Sequence, residues 1–265
     1  MPKYVSTSVA IFFWLSIAMP IEAISISHHE AIRIGNKIWH NECGGKVAGL
    51  TSWNEDEDFA SLGIGHFIWY PKATRGPFEE SFPKLLTFIS SHGTKLPQFL
   101  LSASPSACPW NSRREFNQAQ NSREMKQLRQ FLVDTIDLQA EFMVARLQSA
   151  LPKMLNEAPL FQRANIQRQF DRVSSTLGGA YALIDYVNFK GEGVLSTERY
   201  NGQGWGLLQV LEGMSGSEKG VAAVEDFARS AASVLTRRVR NSPPARNEGR
   251  WLPGWLNRIH TYSSA

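Results

Sequence analysis

The sequence predicts a mainly helical α+β domain with one small β element near its N-terminus. Three observations predict it. Apolar residues recur at helical spacing through most of the chain, most plainly over 123–151, where Leu128, Phe131, Leu132, Ile136, Phe142 and Leu147 make a wide stripe. A single stretch, 50–70, is rich in Gly, Trp and β-branched or aromatic residues and short enough for a hairpin or small sheet. The chain has 265 residues, 43% hydrophobic and 20% charged, the balance of a sequence that fills a core.

Each segment has its own signal. Residues 1–23 combine Lys3, an apolar run over 9–19, the helix breaker Pro20 and the small residue Ala23. They read as an export signal that is removed, leaving 24–265 as one domain in a periplasmic or secreted protein without a stable membrane span, and a monomer. Ser27 and Glu30 form an S-x-x-E capping box at the head of a helix over 27–41. Ala31, Ile34, Ile38 and Glu42 then fall on one face, and Gly44-Gly45 stops the helix. A Pro- and Ser-rich region, 71–121, reads as loop with helical turns near 82–90 and 96–102. The helix over 123–151 is expected to break or kink at Pro152. Further helices are expected over 159–176, 180–189, 207–214 and 221–240, with a tail rich in Pro, Arg and Trp after them.

Charge and composition narrow the function classes. The formal net charge is +4, with a pI near 9.1, which suits an anionic polymer. No Lys/Arg run reads as a nucleic-acid footprint, because Arg237, Arg238 and Arg240 close a helix where cations complement the dipole. The six histidines have no zinc-type spacing, so no metal and no cofactor are expected. Cys43 and Cys108 are the only cysteines. In an oxidising compartment they are expected to bridge, closing a loop of about 65 residues worth roughly 4 kcal/mol.

Glu42 is the leading candidate for an acid catalyst. Its place on a packed face and at a helix C-terminus would both raise its pKa, as a general acid requires. Glycoside hydrolysis pairs such a group with a second carboxylate. The acidic turn over 54–58 offers Glu55, Glu57 and Asp58, with Glu57 favoured. Ser61 adds a hydroxyl, Gly63 and Gly65 permit close approach of backbone or ligand, and Trp53, Asn54 and His66 are candidate substrate contacts.

A second stretch, 185–214, also carries polar and aromatic residues in a Gly-rich loop. Glu192 there is a rival acid or a group on the facing wall, with Gln209 ordering the loop behind it. Lys190, Arg199, Tyr200, Asn201, Gln203 and Trp205 are candidate contacts. The alternative reading is a packing turn between helices.

The order Glu42, Gly49-Leu50-Thr51, Ser61-Leu62-Gly63-Ile64-Gly65-His66 resembles the catalytic stretch of phage-type lysozymes in the lysozyme-like superfamily. The match covers about 25 residues, and the rest of the chain departs from those enzymes in length and pattern. The resemblance implies a two-lobed lysozyme-like fold, Glu42 as general acid, and Ser61 as the hydroxyl holding a nucleophilic water. It also implies peptidoglycan or a related amino-sugar polymer as substrate, cleaved in its glycan backbone. The second stretch is similar, more weakly, to goose-type lysozymes and lytic transglycosylases, although Gly193 replaces the Ser expected after Glu192. Chitosanases share the superfamily fold, which makes chitosan an alternative substrate, disfavoured by the overall positive charge. A glycan-binding protein without catalysis is the alternative from another class.

Overall fold

Ser27 opens the first helix, α1 (His28–Cys43), with the expected capping box. Its backbone N–H and hydroxyl donate to the Glu30 carboxylate, and its Oγ accepts from the Glu30 N–H. Ala31, Ile34 and Ile38 are buried on one face, and Gly44, at φ 62°, ends the helix by donating its N–H to His40 O. The computed structural model describes residues 26–72, 74–76, 78–102 and 108–263. The export segment read over 1–23 lies outside the described residues.

The expected β element is a three-stranded antiparallel sheet: β1 (Thr51–Ser52), β2 (Ala60–Leu62) and β3 (Phe67–Trp69), in that order. Ser61 sits opposite Ser52 on one side and Ile68 on the other. Its Gly-rich turn is built for packing. A Cβ on Gly63 would lie 2.4 Å from Gln139 Oε1, and one on Gly65 would meet Phe67, Asn188 and Met143. Gln139 is fully buried and accepts from the Ile64 N–H at 2.9 Å, while Asn188 donates to Gly65 O at 2.7 Å. The glycines therefore let the turn lie against helices. Phe67 and Trp69 fill the core.

Beyond the sheet the chain is mostly helical. The 71–121 region contains α2 (Phe82–Ser91), α3 (Gln98–Ser102) and an additional α4 (Arg113–Gln118). Ser112 caps α4 through Glu115, an S-x-x-E signal like the one that opens α1. The stripe over 123–151 is two helices, α5 (Arg123–Asp134) and α6 (Ile136–Glu157). The break falls at Thr135, with no Pro or Gly. Thr135 Oγ1 donates to Phe131 O, and the Gln139 side chain donates to Leu132 O and Thr135 Oγ1, so side chains satisfy carbonyls that a continuing helix would use. Pro152 sits inside α6 and does not end it.

Then come α7 (Leu160–Ser174), α8 (Leu177–Lys190), a hairpin of β4 (Arg199–Tyr200) and β5 (Gln203–Gly204), α9 (Leu207–Glu212) and α10 (Val221–Asn241). The tail adds α11 (Leu252–His260). Helix α8 is buried from Gly179 to Val187, and one continuous core joins residues from α1 to Tyr262. Among the described residues no helix is long and apolar enough to cross a membrane.

The expected disulfide is absent: Cys43 and Cys108 are both free. The Cys43 thiol lies 3.6 Å from both Trp39 O and Lys46 O and packs on Gly49. Cys108 is buried beside β3, its N–H donating to Tyr70 O. Each sulfur is committed to its own surroundings, and burial pushes the Cys108 thiol up to about 12.

Helices α1 and α6 approach closely because Gly35 has no side chain. A Cβ there would lie 2.5 Å from Ala140 Cβ. Gly35→Ala should therefore destabilise by about 1–3 kcal/mol despite the better helix propensity of Ala. Adding Ala140→Gly should recover part of the loss. Urea unfolding of the single and double variants measures this, and an additive double variant would exclude the contact as the cause.

Candidate active site

The last turn of α1 delivers Glu42 to an electrostatic junction. Its carboxylate accepts from Arg258 Nη2 at 2.7 Å and lies 3.3 Å from His66 Nδ1. Arg258 comes from α11 and also grips Asp185 of α8 with two bonds, Nε to Oδ2 at 2.8 Å and Nη2 to Oδ1 at 2.7 Å. Tyr262 donates its hydroxyl to the same Asp185 at 2.6 Å. Asp185 has no accessible surface, so its oxygens depend on these donors in place of water.

This junction corrects the expected protonation of Glu42. Burial pushes its carboxyl upward, as the sequence suggested. The charges of Arg258 and His66, the Arg258 hydrogen bond and Lys190 together outweigh burial and hold Glu42 below the usual glutamate value. Glu42 rests as a carboxylate.

Glu57 shares the same cleft and shifts the other way. Burial raises its pKa, the negative Glu42 adds to the rise, and hydrogen bonds from Asn54 and Ser61 only partly offset it. Asn54 donates to Glu57 Oε2 at 3.0 Å and Ser61 Oγ donates to it at 3.3 Å. The Trp53 ring N–H fixes the backbone beneath by donating to Glu57 O at 2.7 Å. Two carboxyl groups with opposed shifts thus face one space, with a hydroxyl beside the one whose pKa is raised.

That space is a cleft of about 400 Å³ between the sheet side and the C-terminal helices. The far wall includes Lys190, Glu198, Trp205 and Trp255. The Lys190 amine lies 3.4 Å from the ring centre of Trp255 and 3.8 Å from that of Phe189. Burial, joined by the neighbouring Arg238 and Arg258, holds it well below the usual lysine range. Burial and the nearby Glu79 and Glu192 raise Glu198 to about 7.

Of the other expected site residues, Asn54, His66 and Asp58 line the cleft with Glu42, Glu57 and Ser61, while Glu55 does not. Trp53 does not line it; its buried ring packs edge-on against Phe116. Glu192 is buried behind the wall and paired with Lys153 at 2.7 Å, and it does not line the cleft. Gln203 is exposed, 3.4 Å from Asn241 Nδ2, outside the cleft. Arg199 pairs with Glu157 and Tyr200 donates to Glu248, so neither takes the expected place. Gln209 does order the loop: its side chain accepts from the Gly206 N–H and donates to Gly193 O.

Sequence reasoning missed Arg258, Asp185, Glu79 and Glu198. Asp185 had a signal, a carboxylate in an otherwise apolar helix, which requires a buried cation. Among the described residues no group of three or more His, Cys, Asp or Glu could hold a metal ion. The chain matches no protein-family model, and the searches of curated proteins and of solved structures found no match.

Proposed function

We propose that the protein is an exported glycoside hydrolase that cleaves the sugar backbone of peptidoglycan or a related amino-sugar polymer. The observation that carries this reading is the pair Glu42 and Glu57 in one cleft, one held ionised and the other inclined to keep its proton. Glycoside hydrolysis needs this division of labour. The resemblance of the segment from Glu42 to His66 to phage-type lysozymes supports the substrate class.

In this reading the roles are exchanged relative to the sequence expectation. Glu57 protonates the glycosidic oxygen as the bond to the anomeric carbon breaks. Glu42 takes the proton of the water that forms the new bond and steadies the positive charge on the sugar. Ser61 orients Glu57 through its hydrogen bond, and its oxygen can accept a hydrogen bond from the attacking water. The Arg258–Asp185 pair keeps Glu42 aimed and charged. Trp251 and Trp255, half-buried and lining the cleft, give the sugar chain an aromatic wall.

These roles set the pH dependence. Glu57 must be protonated, so activity falls as pH rises through a pKa above the ordinary 4.5. Glu42 must be ionised, so activity falls as pH drops through a value below 4.5. Release of reducing ends from purified peptidoglycan should give a bell-shaped kcat/KM. Glu57→Gln should lose about 10²–10⁴-fold in kcat, its residual activity lacking the alkaline limb, and Glu42→Gln should lack the acid limb. Exchanged limbs would restore Glu42 as the acid. A wild type that pellets with the wall but releases no reducing ends would leave a non-catalytic glycan-binding protein.

Stability should separate the same two residues. Glu42 has a lowered pKa, so its carboxylate stabilises the fold above the unfolded value, and this is lost as pH falls through the folded one. Glu57 has a raised pKa, so stability drops as pH climbs from the unfolded value through the folded one. At pH 7, Glu42→Gln should therefore melt lower than wild type and Glu57→Gln higher, by about 2–4 °C for each kcal/mol. Thermal melts at pH 7 decide it, and shifts of the same sign would contradict the opposed environments.

A further inference from the structure

Glu198 sits just before the β4–β5 hairpin, on the far wall of the cleft, and no catalytic step assigned to Glu42, Glu57 or Ser61 uses it. It is only 4% exposed, yet it lines the cleft. Its carboxyl is seated against the backbone of Gly191, at φ 80°, where an added Cβ would lie 3.0 Å from Oε1. Two other carboxylates, Glu79 and Glu192, act on it, and each has a cation of its own. Arg146 lies 3.4 Å from Glu79, and Lys153 lies 2.7 Å from Glu192. Arg238, the other guanidinium acting on Glu198, is held by Glu248 through two bonds of 2.7 and 2.8 Å. Among the described residues Glu198 forms neither an ion pair nor a side-chain hydrogen bond.

A buried carboxyl without a counter-charge is costly unless a ligand supplies one. The cleft is the direction from which such a ligand comes. Carboxyl side chains also outnumber cationic ones there. Glu42, Asp56, Glu57, Asp58, Glu79 and Glu198 line it, against Arg146, Lys190, Arg238 and Arg246. Of these cations, Arg146 and Arg238 are already engaged, and the Lys190 amine lies over aromatic rings.

We propose that Glu198 is a substrate-binding carboxylate that takes a primary ammonium group of the glycan. The ammonium belongs either to a sugar without an N-acetyl group or to a peptide attached to the strand. This rests on the glycan-cleft reading and adds a specificity determinant to it. Burial, with Glu79 and Glu192 nearby, raises the carboxyl to about 7, and Arg146 and Arg238, each held by another carboxylate, only partly offset the rise. An arriving ammonium completes the pair that Glu79 and Glu192 already have.

The test uses three substrates: oligomers of N-acetylglucosamine, oligomers of glucosamine, and peptidoglycan strands carrying their stem peptides. Wild type, Glu198→Gln and Glu198→Asp are compared by kcat/KM, and by calorimetric binding in a Glu57→Gln background, whose slowed turnover leaves the substrate intact during the titration. Wild type should favour an amine-bearing substrate over the N-acetylglucosamine oligomer by about tenfold or more. Glu198→Gln should bring that ratio close to one, and Glu198→Asp, which keeps the charge, should retain part of it. Preference for the glucosamine oligomer assigns the ammonium to the sugar, and preference for the stem-peptide strands assigns it to the peptide. A wild type without preference, or a preference unchanged in Glu198→Gln, overturns the proposal. If wild type cleaves nothing but still binds the amine-bearing substrate through Glu198, the hydrolase reading fails and the ammonium site stands. If it cleaves glycan with no amine dependence, the outcome is reversed.

Discussion

The ion pair between Asp185 and Arg258 is the constraint on which the site depends. Asp185 lies within the buried stretch of α8 from Gly179 to Val187 and has no accessible surface. A carboxylate there is tolerated only with strong donors, and breaking such a pair from one side costs about 3–5 kcal/mol. Arg258 and Tyr262 are those donors, and both come from the C-terminal segment. Docking α11 against α8 is therefore a condition of folding. The same guanidinium then reaches Glu42 at the end of α1. Residues 42, 185 and 258 are far apart in the chain, so the near wall of the cleft exists only once both ends have been brought together.

That arrangement explains how two glutamates in one cleft acquire different chemistry. Both are desolvated, and burial alone would raise both. Arg258 and His66 break the symmetry at Glu42. Glu57 has only neutral donors, Asn54 and Ser61, and it feels the fixed negative charge of Glu42. One carboxylate stabilised by a guanidinium thus raises the proton affinity of the other.

Local features were legible in the sequence and distant pairings were not. The capping box at Ser27, the stop at Gly44 and the short antiparallel sheet are each fixed by residues within a few positions, and each forms as read. The candidates Glu42, Glu57, Ser61, Asn54 and His66 converge because helix end, turn and strand are contiguous in the chain. The break at Thr135 was hidden because polar side chains replace the helix bonds there without Pro or Gly. Glu42 was expected to be protonated because its helix face and terminus were visible and its cation, more than 200 residues away, was not. The second stretch divided similarly: Trp205 reaches the cleft, while Glu192 and Gln203 turn to partners that spacing does not reveal.

Net charge and the charge of the cleft differ in sign. The chain carries +4, which argues for an anionic polymer and against a cationic one. Yet six carboxyl residues line the cleft against four Lys or Arg. The two facts operate at different distances. Mobile ions screen exposed charges beyond a Debye length of about 8 Å, so the surface excess governs approach and little else. Inside the cleft the charges are partly buried, screening is weak, and the sign of the nearest unpaired group decides what binds. A basic exterior with an acidic groove can thus be drawn to an anionic wall and still select its positively charged substituents. Glu198, buried and uncompensated, is where those two scales part company.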